Sequence, residues 1–301
     1  MNSPGTLFLV ATPIGNLEDL SPRARRILGE VSIVAAEDTR RTGRLLAGLG
    51  LSTPLISCFD HNEEARAHEL QRILATGRHV ALVSSAGSPL ISDPGYRVVR
   101  EAVAAGASVV AVPGPSAALL ALQLSGLSCD RFAVFGFIPK KGARRRAFLK
   151  AALSFEGSVV CFVPARDTAS LLDEAARHGS PGEVRVAVCR ELTKRHEEVL
   201  RGAAVEVARV IDARVKSDSK SWRGEVTVVL QADEPPTTTS DDELRQRLAL
   251  ELSLGATRRE ALARVREATG TPRAKLYLLL DSLKKEDKSR GTAPPSGETD
   301  D

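Results

Sequence analysis

Along most of the chain, short apolar runs alternate with stretches in which apolar and polar positions recur at helical spacing. The runs predict strands over 6–14, 32–37, 54–57, 79–84, 108–112, 131–137, 158–164, 183–189 and 225–231. Amphipathic or Ala-rich segments separate most of them, an order that predicts α/β layers, mostly parallel in the first half. Helix starts are marked by Ser21-Pro22 and Asp93-Pro94, each a capping residue followed by proline, and by Asn62-Glu63-Glu64, which sets acids in a first turn. A small-residue loop, Pro113-Gly114-Pro115-Ser116-Ala117, suggests a change of domain. The expected division is therefore 1–113 and 114–232 as two α/β domains. The Pro- and Thr-rich stretch 233–240 reads as a linker, 241–287 as a helical domain, and 288–301 as a disordered tail of Ser, Gly, Pro and acidic residues.

Three loops fall at the carboxyl ends of predicted strands, where open α/β sheets bind ligands. They are Thr12-Pro13-Ile14-Gly15-Asn16, Ser84-Ser85-Ala86-Gly87-Ser88-Pro89, and Pro113 to Ala117. None matches GxGxxG, GxxxxGK[ST] or the glycine signature of Rossmann-type methyltransferases. Three small, weakly charged loops together suit a largely apolar, nucleoside-like ligand held by backbone groups. Each taken singly is also what an ordinary turn looks like.

Composition adds charge to this picture. The formal net charge is +4 and the pI near 9.0, so distribution matters more than sum. Between Pro139 and Lys150 stand Lys140, Lys141, Arg144, Arg145, Arg146 and Lys150 with no acid among them. Leu244 to Lys285 holds ten basic and four acidic residues. Two such clusters fit contact with a phosphate backbone, although charge runs are commonly solvated helix faces. The cysteines Cys58, Cys129, Cys161 and Cys189 form no CxxC pair, and no paired histidines stand at zinc spacing. No metal and a reducing compartment are the expectation. The apolar run Leu7–Ile14 is too short to span a bilayer and lacks a basic segment before it, which points to a cytoplasmic protein without a membrane partner.

Several segments carry a resemblance. Leu7 to Asp19, Ala35-Ala36-Glu37-Asp38-Thr39-Arg40, Asp60-His61-Asn62-Glu63, Val80 to Tyr96, Pro113-Gly114-Pro115-Ser116, Gly136 to Gly142 and Cys189-Arg190-Glu191-Leu192-Thr193-Lys194 resemble, in consistent order from about residue 6 to 231, the ribosomal RNA small subunit methyltransferase I family of the tetrapyrrole methylase superfamily. Leu244 to Leu283, with Lys275-Leu276-Tyr277, is similar to the helix-turn-helix-like domain at the C-terminus of that family.

The resemblance implies two α/β domains with a ligand cleft between them, plus a small all-helical C-terminal domain. It implies S-adenosylmethionine as methyl donor, 16S rRNA of the small ribosomal subunit as partner, methylation of the ribose 2′-hydroxyl of a decoding-site cytidine, and a homodimer. By position, donor contacts would come from Ile14, Gly87, Ser88, Ile91, Ser116, Ala117 and Phe162. Lys140, Lys141, Arg144, Arg145 and Arg146 would face RNA. A ribose hydroxyl is weakly acidic and profits from a base within hydrogen-bond reach. Asp19, Glu37, Asp38, His61 and Glu191 stand in matching motifs, and Asp38 and His61 are taken as the polar residues at the acceptor. The chain departs from the family pattern at Ser85, commonly Asp, at Val163, commonly an acid, at Phe59, frequently His, and near Arg166-Asp167, commonly His-Arg. Two other readings stay open: a tetrapyrrole or corrin C-methyltransferase, and a non-catalytic RNA-binding relative.

Overall fold

Five of the predicted strands lie side by side, all parallel, in the order β3-β2-β4-β1-β5 in the computed structural model, which describes residues 3–178, 184–218, 221–232, 241–269, 271 and 275–282. They are β1 (Thr6–Val10), β2 (Ile33–Ala36), β3 (Leu55–Ser57), β4 (Val80–Val83) and β5 (Ser108–Val112). The central strand β4 is buried along its whole length, as expected where helices cover both faces of a parallel sheet. On one face α3 (Glu63–Ala75) and α4 (Tyr96–Ala104) contribute Leu70, Leu74 and Val98 to a core with Leu7 and Leu82. On the other, α1 (Pro22–Glu30) and α2 (Thr39–Gly48) contribute Ile27, Leu28 and Leu46 against Val10 and Val34.

The second sheet has the order β6-β7-β10-β8-β9 and is mixed. Strands β6 (Phe132–Phe137) and β7 (Ser158–Pro164) are parallel, whereas β8 (Val184–Arg190), β9 (Glu198–Ala203) and β10 (Glu225–Ala232) join antiparallel. Helices α6 (Ala143–Leu153), α7 (Thr168–His178) and α8 (Ala204–Ser217) cover one face. On the other face lies α5 (Ala117–Ser125), whose Ala118, Ala121 and Leu122 share a core with Val160, Cys189, Val229 and, from the first half, Ile14. Residues from both halves thus build one apolar cluster, and Met1–Asp233 forms one compact unit.

Glu234–Asp301 forms a second unit. Within it α9 (Asp241–Ser253), α10 (Arg258–Thr269) and α11 (275–282) pack around Leu244, Leu248, Leu262, Leu276 and Leu280. The predicted linker 233–240 and tail 288–301 lie outside the described residues. No helix among the described residues is long and apolar enough to cross a membrane.

All nine predicted strands are present, with three differences of detail. Strand β1 stops at Val10, because residues 11–14 turn away and Thr12 instead exchanges two backbone hydrogen bonds of 2.9 Å with Gly87. Strand β9 was not predicted; it is a sheet edge carrying Glu198 and Arg201, so it lacks the apolar signal of a buried strand. Ser21 and Pro22 open α1 as expected, with the Ser21 hydroxyl accepting from Ala24 N–H at 3.1 Å. Asp93-Pro94, however, does not open α4. Gly95 is the cap at φ 131°, and the Glu63 carboxylate reaches across from α3 to accept from the N–H groups of Gly95 (3.1 Å) and Arg97 (2.7 Å). The Asp93 side chain is therefore not spent as a helix cap.

Candidate functional site

The three small-residue loops close on one another. Beside the Thr12–Gly87 bridge, the Thr12 hydroxyl donates to the Ser84 carbonyl at 3.2 Å and the Ser84 hydroxyl to the Gly87 carbonyl at 3.1 Å. Gly87 sits at φ +82°, with space for a Cβ limited by Ile14 Cγ2 at 3.4 Å. A fourth loop arrives from the second sheet: Thr193 Oγ1 accepts from Asn16 N–H at 3.1 Å, and a Cβ on Gly15 would stand 2.7 Å from that same oxygen. Among the described residues four non-glycine positions adopt left-handed backbone, and all lie in or next to these loops: Leu90, Ser92, Glu191 and Thr193.

These loops enclose a cavity of about 400 Å³, within the range of small-molecule sites. All seven positions carried over for donor binding line it: Ile14, Gly87, Ser88, Ile91, Ser116, Ala117 and Phe162. Val163, Phe137 and Thr227 complete an apolar and hydroxyl wall. Three carboxylates also face it, Glu37, Asp93 and Glu225, against one cation among the lining residues, Arg41. The Ser85 hydroxyl donates to Glu37 Oε2 at 2.6 Å and the Ser85 N–H to the same oxygen at 3.2 Å. Ser85 thus ties down a neighbouring carboxylate. Burial pushes the Asp93 carboxyl up to about 6; the nearby Glu37 charge adds to the rise, the Ser84 hydroxyl opposes it, and Asp60 contributes least. At neutral pH it is ionised yet more basic than an ordinary carboxylate. An acidic, half-apolar cavity of this kind suits a ligand that combines an aromatic or aliphatic surface with positive charge.

Of the two residues expected at the acceptor, neither lines this cavity. Asp38 caps α2, accepting from the N–H groups of Arg40 (2.8 Å) and Arg41 (3.1 Å), and these bonds hold its carboxyl below the usual range. His61 is exposed and meets Phe59 edge-on, ring centroids 6.2 Å apart. Glu191 is engaged with Lys194 Nζ (2.8 Å) and Glu225 N–H (2.8 Å), a clasp between two loops. The place of Asp93 in the cavity wall was missed because aspartate before proline imitates a helix cap. The available signal was Gly95, one residue before the helix, together with Glu63 as a spare carboxylate.

In the basic run, Lys140, Lys141, Arg144 and Arg146 are exposed around the start of α6. Arg145 corrects the expectation of an RNA-facing side chain. It is 3% exposed, pairs with Glu174 at 3.1 Å and donates to Ser170 Oγ at 2.9 Å, so it pins α6 to α7.

Comparison with known proteins agrees with this architecture. The family described as Tetrapyrrole (Corrin/Porphyrin) Methylases matches residues 6–208. A protein of Pseudomonas aeruginosa named ribosomal RNA small subunit methyltransferase I is 43% identical over 281 residues, covering 91% of this chain and 96% of the relative. One of the same name from Escherichia coli O157:H7 is 42% identical over 232 residues, 76% of this chain and 79% of the relative. Among solved structures, uroporphyrin-III-C-methyltransferase from Thermus thermophilus superposes with a TM-score of 0.53 at 22% identity, over 75% of this chain and 94% of that one. A complex of that enzyme with S-adenyl homocysteine gives 0.52 at 21% identity, over 75% and 97%.

Proposed function

Since this chain belongs to the tetrapyrrole methylase family, and within it to the ribosomal RNA small subunit methyltransferase I family, we propose that it methylates 16S rRNA. The donor in this reading is S-adenosylmethionine, and the acceptor is the ribose 2′-hydroxyl of a decoding-site cytidine in the small ribosomal subunit. The observation that carries the reading is the convergence of Ile14, Gly87, Ser88, Ile91, Ser116, Ala117 and Phe162 on one cavity, although they come from four separate segments.

The residues present fit such a donor. Gly87, in left-handed backbone, lets a ligand approach the main chain. Ile14, Phe137 and Phe162 offer apolar surface for an adenosine, and Glu37 and Asp93 balance positive charge, Glu225 being paired with Lys194 at 3.0 Å. When bound, the donor supplies a methyl group already activated by a cationic sulfur. The protein's remaining tasks are alignment and removal of a proton. Asp93 is assigned the proton: its carboxylate would accept the 2′-hydroxyl hydrogen as the methyl carbon exchanges its bond to the donor's sulfur for one to the ribose oxygen, leaving a neutral thioether, and would release that proton to solvent after product leaves. Glu37, fixed by Ser85, keeps Asp93 basic through its charge. Asp38 and His61 lie outside this chemistry.

The experiment is to map 2′-O-methylation on small-subunit rRNA from cells lacking the protein, with and without complementation. Loss of the mark at the decoding-site cytidine, restored by the wild-type gene, is the expected result. An unchanged cytidine refutes the assignment.

A further inference from the structure

A second groove opens beside the donor cavity, and we propose that it seats the acceptor strand of RNA, with Arg41 and Arg44 holding phosphates next to the nucleotide to be methylated. This assignment rests on the RNA-methylating reading above and adds to it the place and the residues of acceptor recognition.

The groove has a volume of about 470 Å³ and is lined by Thr12, Pro13, Leu17, Arg41, Arg44 and Leu45, among others. It shares Arg41 and Ser85 with the donor cavity, so a group seated in it lies against the wall that Ser85 and Glu37 build. Helix α2 supplies one side: Arg41, Arg44, Leu45 and Gly48 all line the groove and follow one another at positions i, i+3, i+4 and i+7, a single helical face. A Cβ on Gly48 would meet nothing within 4 Å, so this side is open.

Charge favours a polyanion. Arg26 on the adjacent α1, and Arg66 and Arg97 on α3 and α4 across the sheet, pair with Glu30, Glu69 and Glu64. Arg41 and Arg44 are exposed and, among the described residues, form no ion pair; Arg44 only contributes through space to Asp38. Two such guanidinium groups on one helix face offer forked donors matched to phosphate oxygens. The remaining wall is apolar: Leu17, 62% exposed, stands in the groove beside Pro13 and Leu45. An uncovered leucine among cations is poorly suited to water alone and well suited to the sugar and base of a nucleotide. Cations along one side and apolar surface along the other match a single RNA strand, whose charge and bases are likewise segregated.

Arg44→Gln is the cleaner variant, because Arg44 lines the groove and not the donor cavity, whereas Arg41 borders both. Calorimetry with S-adenosylmethionine should return the wild-type Kd for Arg44→Gln. With a 16S rRNA fragment as probe, the slope of log K against log salt should fall by about 0.7 for Arg44→Gln and about 1.4 for the double variant with Arg41→Gln. KM for RNA should rise about tenfold in the single variant. Wild-type slope and KM in both variants would overturn the groove assignment while leaving RNA methylation standing. A wild-type protein that neither binds nor methylates the RNA would remove the parent reading and the groove with it. Competition by a carboxylated tetrapyrrole, with RNA ineffective, would give the groove to that ligand class and overturn the proposal.

Discussion

Replacing Asp93 by Asn should make the protein more stable and less active, and the two effects can be worked separately. In the folded chain the carboxyl titrates at about 6 against an ordinary 3.8. Between those values the native state binds more protons than the unfolded chain, so stability falls as pH rises through that window. Above it, ionised Asp93 costs the fold about 3 kcal/mol, taking about 1.4 kcal/mol per pH unit. Asn removes that cost with little change of shape. In thermal melts followed by circular dichroism at about pH 8, Asp93→Asn should therefore melt higher than wild type, by ~6–10 °C for a unit of this size. The gain should shrink toward pH 4, where folded wild-type Asp93 is protonated and the unfolded carboxyl is close to half so. In single-turnover assays with radiolabelled donor, loss of the proton acceptor should slow methyl transfer by ~10²–10⁴-fold. The wild-type rate should fall below about pH 6 while the variant's residual rate stays flat. A variant that melts lower at pH 8, or a gain that persists unchanged at pH 4, would show that Asp93 does not bear the burden its surroundings imply. Wild-type methylation by the variant would remove it from the chemistry.

Three further outcomes test other parts of the structure. Neutralising Lys140, Lys141, Arg144 and Arg146 should flatten the salt dependence of RNA binding by about 0.7 per lost contact without lowering the melting temperature, whereas Arg145→Gln should destabilise the fold by ~2 kcal/mol, since it strands Glu174; equal behaviour of all five would contradict the buried position of Arg145. Gly87→Ala, forced into φ +82° beside Ile14, should cost ~1 kcal/mol of stability and weaken donor binding about tenfold by calorimetry. In the native protein, Ellman's reagent should titrate Cys129 alone: Cys58, Cys161 and Cys189 are buried, with thiols raised to about 11, 12 and 11. Rapid reaction of more than one thiol before denaturant is added would rule that out.

The strand pattern was readable because buried strands need unbroken apolar runs, which is why β4 and β7 stand out and the polar edge strand β9 does not. That the small-residue loops meet at one cavity was equally readable, since small residues at strand ends leave few ways to pack three loops. Acid–base roles were not. Whether a carboxylate caps a helix or faces a cavity depends on which backbone N–H groups lie nearby, and Asp38 and Asp93 exchange those roles relative to expectation. The same limit applies to Arg145: one residue of helical phase separates a buried ion pair from the exposed side chains of Arg144 and Arg146. Glu174, which decides the matter, lies on another helix and leaves no trace in the local pattern.

Leu90, Ser92, Glu191 and Thr193 hold left-handed conformations that L side chains adopt at a cost of order 1 kcal/mol each. Because all four border the ligand loops, the bent form of those loops is set when the chain folds. The entropy of ordering them is lost then and not at the moment of binding. A donor should therefore associate with a small heat-capacity change and little gain in amide protection, and selection between donor analogues should follow the fit of a rigid mould. Enzymes built this way respond to loop mutations through affinity for every ligand of the cavity alike, product included, so a loosened mould would release product sooner even as it captures donor less well.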